Sequence, residues 1–478
     1  MNAVLLKELR QSVRNRYVLA AYVIFIVVLL IVTGVQISLF IRNAWANPQS
    51  VFGTGRALFL AIHGIFAGIA MLFIPCYVAS RILRERWGAN LDLMYVTPMP
   101  PSHLPIGKFG SAMALAGLFL GGALPFLVLS SFIGGIDVLS IVVSVLLTLL
   151  VVATLTLFFI VLSIVPMPKI LRGVIMLGPV FSLFWAVAGW IAATAELCSE
   201  GYVSILGNAD SCITFVEAVA MGLSAMGLLY VAALAGFQSP NVDRMRPFRW
   251  LATALVVGWG IVVAIQSRFE GYKDSPEPWV AMVMIFAVFM MILGLGERTE
   301  MGAYQRKQLP RSLIGRIAGY PFRTGQLNAV CWSVLLLAIG LALSYVIFPA
   351  ASTVEEYCSK CGATHLLPCD ATMAEHFRIL TLNVSGYALT MLALWRYVFH
   401  RAKMPGAALW WVTALVIILV NIVLGSLSNA GGASDIEGFV GYLFANKREV
   451  LPWLYGWNAV AILCLVPVYL GAGKRTTF

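Results

Sequence analysis

Twelve stretches of this chain are each long enough to cross a bilayer as a helix and nearly free of charge. They fall at roughly 17–41, 57–80, 111–134, 138–165, 173–195, 214–237, 250–267, 278–296, 329–350, 379–399, 406–427 and 453–472. A helix needs about 20 predominantly apolar residues to span the hydrocarbon core. No water there can satisfy a backbone N–H or C=O, so a spanning segment must be a helix or part of a closed barrel. Continuous apolar runs without two-residue alternation select helices. The expectation is an all-α, polytopic integral membrane protein of about 12 transmembrane helices. With 60% apolar and 11% charged residues, the chain cannot be a soluble protein with a large core, since such domains hold about 45–50% and about 25%.

Orientation follows from the basic residues. With the N-terminus in the cytosol and twelve spans, 24 of the 32 Lys and Arg lie on the inner side, against only 6 of the 21 acids. That is the positive-inside pattern, and it predicts cytosolic N- and C-termini. The net charge of +11 then reads as topology and contact with anionic lipids, not as a nucleic-acid site. Ala44-Trp45-Ala46 resembles a signal-peptidase site. The apolar run before it exceeds the roughly 7–15 residues of a signal peptide's core, so a retained first span is expected.

Two segments carry functional information. Residues 3–16, AVLLKELRQSVRNR, set Leu6, Leu9 and Val13 on one helical face and Lys7, Arg10 and Arg14 on the other. This predicts an amphipathic helix in the inner interface, running directly into the first span. The loop after the second span, residues 81–110, reads RILRERWGANLDLMYVTPMPPSHLPIGKFG. A short helix is expected up to Tyr95, stopped by Pro98, Pro100 and Pro101. Leu91, Leu93 and Met94 beside charges suit the groove of a partner protein.

These two segments together resemble the type-2 ATP-binding-cassette (ABC) exporter permeases. The resemblance is carried by LLKELRQSVRNR and RERWGANLDLMYVTPMPPSHLPIGK and covers about residues 1–110. It implies that Lys7, Glu8, Leu9 and Arg10 belong to the interfacial elbow helix. It implies likewise that Glu85, Arg86, Gly88, Leu91, Asp92, Leu93, Thr97, Pro98, Gly107 and Lys108 form the segment facing a cytosolic ATPase. Met94 stands where leucine is commoner, a volume-conserving change. The family's core is six spans. Residues 17–237 would then be the permease core, and 238–478 a second six-span unit, with a degenerate repeat of the first as one reading of it. The implied partners are cytosolic ABC ATPase subunits, membrane lipids and a second permease copy or homologue. The implied location is a multi-pass position in the cell (inner) membrane.

The chain offers no phosphate-cradling G-x-x-x-x-G-K-(S/T) loop. The nearest string, GAGKR at 471–475, lacks the spacing and has Arg475 in place of Ser or Thr. No enzymatic activity and no cofactor are therefore expected of this chain itself, with ATP bound by a partner subunit. Ion-coupled carriers keep paired ionisable groups within their spans. Here His63 is mid-span, Glu217 near an outer end and Arg396 near an inner end, and His63 reads as a helix-to-helix hydrogen bond. Lipid-linked glycosyltransferases resemble one another in having an acidic first outer loop, whereas residues 42–56 contain no acid. The alternative function is an ATP-independent carrier or scaffold whose basic loops merely obey topology.

Of eight cysteines, Cys76, Cys331 and Cys464 lie in apolar runs and read as small core residues. Cys198 and Cys212 bracket the loop after the fifth span, where an oxidising compartment would allow a disulfide. Cys358, Cys361, His365 and Cys369 have spacings compatible with tetrahedral zinc, with disulfide pairing and free thiols as the other readings.

Overall fold

The computed structural model describes residues 3–46, 54–87, 102–164, 169–202, 207–238, 242–266 and 319–347, with isolated positions between 279 and 315. Among the described residues every element is a helix: α1 (Ala3–Val13), α2 (Arg16–Ala46), α3 (Thr54–Trp87), α4 (His103–Ile133), α5 (Val138–Ile164), α6 (Lys169–Glu200), α7 (Ala209–Phe237), α8 (Arg246–Gln266) and α9 (Gln326–Ile347). The chain divides into two compact units, Met1–Ser239 and Pro240–Phe478.

Seven of these helices are long and apolar enough to cross a membrane, from Arg16–Arg42 through Arg246–Gln266. The chain is thus a multi-pass helical membrane protein. The seven coincide with the first seven expected runs, and α9 overlies the ninth. The runs expected at 379–399, 406–427 and 453–472, and nearly all of 278–296, lie outside the described residues.

The helices overrun the apolar stretches that announced them. α3 continues from the expected end near residue 80 to Trp87, and α4 begins at His103 instead of 111. Residues 81–110 are therefore not one loop. Their first seven close α3, and those from His103 open α4. Arg81 and Arg84 fall in the C-terminal turns of α3, where cations suit the helix dipole. Pro105 sits in the first turn of α4, where its missing N–H costs nothing.

In the first unit α3 is central, packing against α2, α4, α5 and α6. Phe59, Ile62, Phe66 and Ile74 are buried along it. Phe119 of α4 joins three helices, with its ring edge-on to Phe25 (5.3 Å), Tyr22 (5.7 Å) and Phe73 (6.0 Å). α2 buries only a narrow stripe that includes Val18, Phe25 and Leu29, and exposes Val23, Ile24, Leu30 and Ile31. Such a face is stable in hydrocarbon, where lipid tails are as apolar as leucine. Gly134 and Gly135 turn the chain between α4 and α5 at φ of 93° and 91°, a region a side chain would strain. Asp137 then caps α5, accepting the Ser140 N–H at 3.2 Å.

Polar contacts tie the apolar helices together. The Thr148 hydroxyl of α5 donates to the Ser144 carbonyl (2.8 Å) and lies 2.8 Å from His63 Nε2 and 2.9 Å from Trp190 Nε1. A hydroxyl has one proton and two lone pairs, so this arrangement uses all three and implies the Nε2–H tautomer of His63. The expected helix-to-helix role of His63 is the one observed, joining α3 to α5, while Trp190 adds α6.

In the second unit α8 packs against α9. The buried Arg249 guanidinium donates to the carbonyls of Pro321 (3.2 Å) and Arg323, and Asp243 accepts the Thr324 N–H at 2.6 Å. Trp250 stacks on Phe322 with ring centres 4.0 Å apart.

Candidate functional site

Where α3 ends and α4 begins, their side chains meet those of α1 around a buried ionic cluster. α1 supplies residues 4, 8 and 12 as one stripe at four-residue spacing, with Val4, Glu8 and Ser12 all buried. α3 answers with Tyr77, Arg81 and Glu85, again four apart and hence on one face. α4 supplies Lys108 from its second turn.

Glu8 is the hub. Its Oε2 lies 2.9 Å from Arg81 Nη2 and its Oε1 lies 3.2 Å from Lys108 Nζ. Lys108 Nζ also reaches Glu85 Oε2 at 2.6 Å. Two acids and two bases balance. Balance is required because an unpaired charge at such burial costs several kcal/mol. Neutral groups complete the shell: Arg81 donates to Ser12 Oγ (3.1 Å), Tyr77 OH (3.4 Å) and the Gln11 side-chain oxygen, and its guanidinium lies 5.8 Å from the Tyr77 ring centre. Asn15 Nδ2 donates to Tyr77 OH (3.3 Å), while its Oδ1 accepts the Tyr17 N–H at 3.0 Å and caps α2.

Apolar contact explains why α1 can approach so closely. A Cβ on Gly107 would meet Val4 Cγ1 at 2.7 Å and the Leu5 backbone nitrogen at 3.1 Å. Only glycine fits there, which gives Gly107 a packing reason independent of any partner.

The structure revises the expected elbow in two respects. The helix ends at Val13, and α2 starts afresh at Arg16 after the Asn15 cap, so the elbow does not run directly into the first span. Its packed face is the Val4–Glu8–Ser12 stripe; Leu6 and Leu9 are half-buried and Val13 is exposed, as are Lys7 and Arg10. Glu8 faces the cations of α3 and α4, and Val13, five residues on, lies off that stripe.

Of the residues expected to face an ATPase, the fold brings together Glu85, Lys108 and the elbow's Glu8. The Lys108 ammonium is spent on these intramolecular pairs. Arg86 falls in the last turn of α3, and Gly88, Leu91, Asp92, Leu93, Thr97 and Pro98 lie outside the described residues. Arg81, Tyr77 and Ser12 were not among the expected site residues; two facing stripes at four-residue spacing were the signal for them.

Cys198 and Cys212, between which an oxidising compartment would allow a disulfide, are both free thiols in the structure. Cys198 faces α5 from the end of α6, with its Sγ 3.8 Å from Ser144 Oγ. Burial holds the Tyr202 hydroxyl above its ordinary value, so it stays neutral in its 3.2 Å hydrogen bond with Ser144. Cys358, Cys361, His365 and Cys369 lie outside the described residues. Compared with protein-family models, curated proteins and solved structures, the chain matches none.

Proposed function

We propose that the chain is the permease subunit of a type-2 ABC exporter in the inner membrane, with twelve spans and both termini cytosolic. In this reading separate cytosolic ATPase subunits grip the segment after α3 and move a substrate outward on ATP binding. The observation that supports it most is the ionic cluster at the foot of that segment. Dissociating a buried pair costs about 3–5 kcal/mol, far above thermal energy, so the ends of α3 and α4 and the whole of α1 respond to a push as one piece. A push on residues 88–101 therefore becomes a tilt of α3, the helix on which the first unit is built. Ligand-driven closure acting on a packed two-position element is a common route from a local event to a global one.

Contact and transmission predict different phenotypes. Asp92→Ala, in the segment itself, should release the ATPase from the purified full chain. Lys108→Met, at the foot, should leave the ATPase bound but abolish its stimulation by the permease. Affinity purification from native membranes, with identification of co-purifying subunits and measurement of ATP turnover, reads both. If no protein bearing a phosphate-cradling loop co-purifies, or if impermeant labels reach residues 88–101 only from outside the cell, the proposal is wrong.

A further inference from the structure

The first unit carries a second site, remote in sequence from the ionic cluster. α6 packs on α3, whereas α7 packs on α5, and between α5, α6 and α7 lies an open cavity of about 560 Å³. Its walls include Leu150 and Leu155 of α5, Trp190 and Leu197 of α6, and Phe215 and Val219 of α7. That volume is within the roughly 300–1,000 Å³ range of small-ligand sites.

Three properties identify the occupant. First, the cavity opens among membrane-spanning helices, so the medium at its mouth is hydrocarbon. Second, its deep polar groups are already engaged within the protein. The Thr154 hydroxyl donates to the Leu150 carbonyl (2.9 Å) and the Trp190 N–H points to Thr148 (2.9 Å). Whatever lies deep in the groove needs no hydrogen bond, and Trp190 is held as a ready-made wall, which lowers the ordering cost of binding. Third, length and polarity run together. The α7 wall extends from Ser211 to Gly222, about 16 Å at ~1.5 Å per residue. This is close to half of the ~30 Å hydrocarbon core. The hydroxyl residues Ser211 and Thr214 stand at the end where the α7 span begins.

We propose that this groove binds one acyl chain of a bilayer phospholipid, drawn from the leaflet bordering the α6–α7 turn, with the lipid's ester and headgroup region beside Ser211 and Thr214. The site does not depend on the ATPase reading, and its test needs no ATP.

The full chain is placed in nanodiscs containing a trace of phosphatidylcholine with a photoactivatable diazirine near the chain end. After irradiation, labelled peptides are mapped. Residues 147–155 and 211–222 should be labelled several-fold more than the exposed α2 face around Val23 and Ile24. Ala218→Trp fills the groove from an exposed position, and should reduce the groove label to the α2 level while leaving the α2 label and melting midpoint unchanged. Groove labelling no greater than that of α2, or labelling untouched by Ala218→Trp, would overturn the assignment. So would its loss on adding excess unlabelled fatty acid, which would make a free single-chain amphiphile the occupant.

Discussion

Neutralising the hub of the ionic cluster tests whether α1 is fastened by charge. Glu8→Gln keeps the shape and removes one negative charge from a side chain only 5% exposed. Lys108 then keeps Glu85, while Arg81 loses its carboxylate. Breaking a buried pair costs about 3–5 kcal/mol. The low end applies, because Gln still accepts one hydrogen bond and Arg81 retains Ser12, Tyr77 and Gln11. A loss of about 3 kcal/mol corresponds to roughly 6–12 °C in a unit of this size. Lys108→Met alone should cost less, about 1–2 kcal/mol on the same scale, because Glu85 is 25% exposed and water can solvate it. The double variant restores balance: Arg81 and Glu85 stand four residues apart on α3, where such pairs meet. Its loss should fall short of the sum by about 1–2 kcal/mol. Thermal unfolding of the detergent-purified chain, followed by size exclusion, measures all three. Trypsin cleavage at Lys7 and Arg10, faster in Glu8→Gln, reports release of α1 directly. A Glu8→Gln midpoint equal to the wild type, or strictly additive losses, would show that apolar packing alone holds α1.

The same helix junction makes a steric prediction: Gly107→Ala should cost about 1–3 kcal/mol as an overpacked contact, while Gly117→Ala on the same helix meets nothing within 4 Å and should be neutral or slightly stabilising. Equal melting midpoints for the two would contradict the close approach of α1. Within the bundle, Thr148→Val removes the oxygen shared by His63 and Trp190 and should cost about 1–2 kcal/mol, the upper range for membrane-buried hydrogen bonds. Trp190→Phe should recover part of that loss in the double variant, which a thermal cycle of the four proteins would detect.

The apolar spans were legible without coordinates. Hydropathy sums over contiguous residues, and α2 through α8 lie where their runs lie. His63 was legible too, because a lone mid-span histidine must find a partner in hydrocarbon. Legibility was partial at helix ends: helix after residue 80 was expected, but not that it continues α3 to Trp87 or that α4 starts at His103, since charged turns outside the hydrocarbon carry no apolar signal. For α1 the exposed Lys7 and Arg10 follow the amphipathic pattern, but the buried Val4–Glu8–Ser12 stripe carried no apolar signal of its own.

Membership of the membrane class and the places of the described spans were therefore written locally in the chain, because twenty adjacent apolar side chains leave the backbone one economical conformation. The partner of Lys108 was not. Glu8 is 100 residues away, and only the approach of α1 over Gly107 converts that separation into a 3.2 Å contact. Charge pairing across such distances depends on how three helices dock, and no window along the chain contains that information.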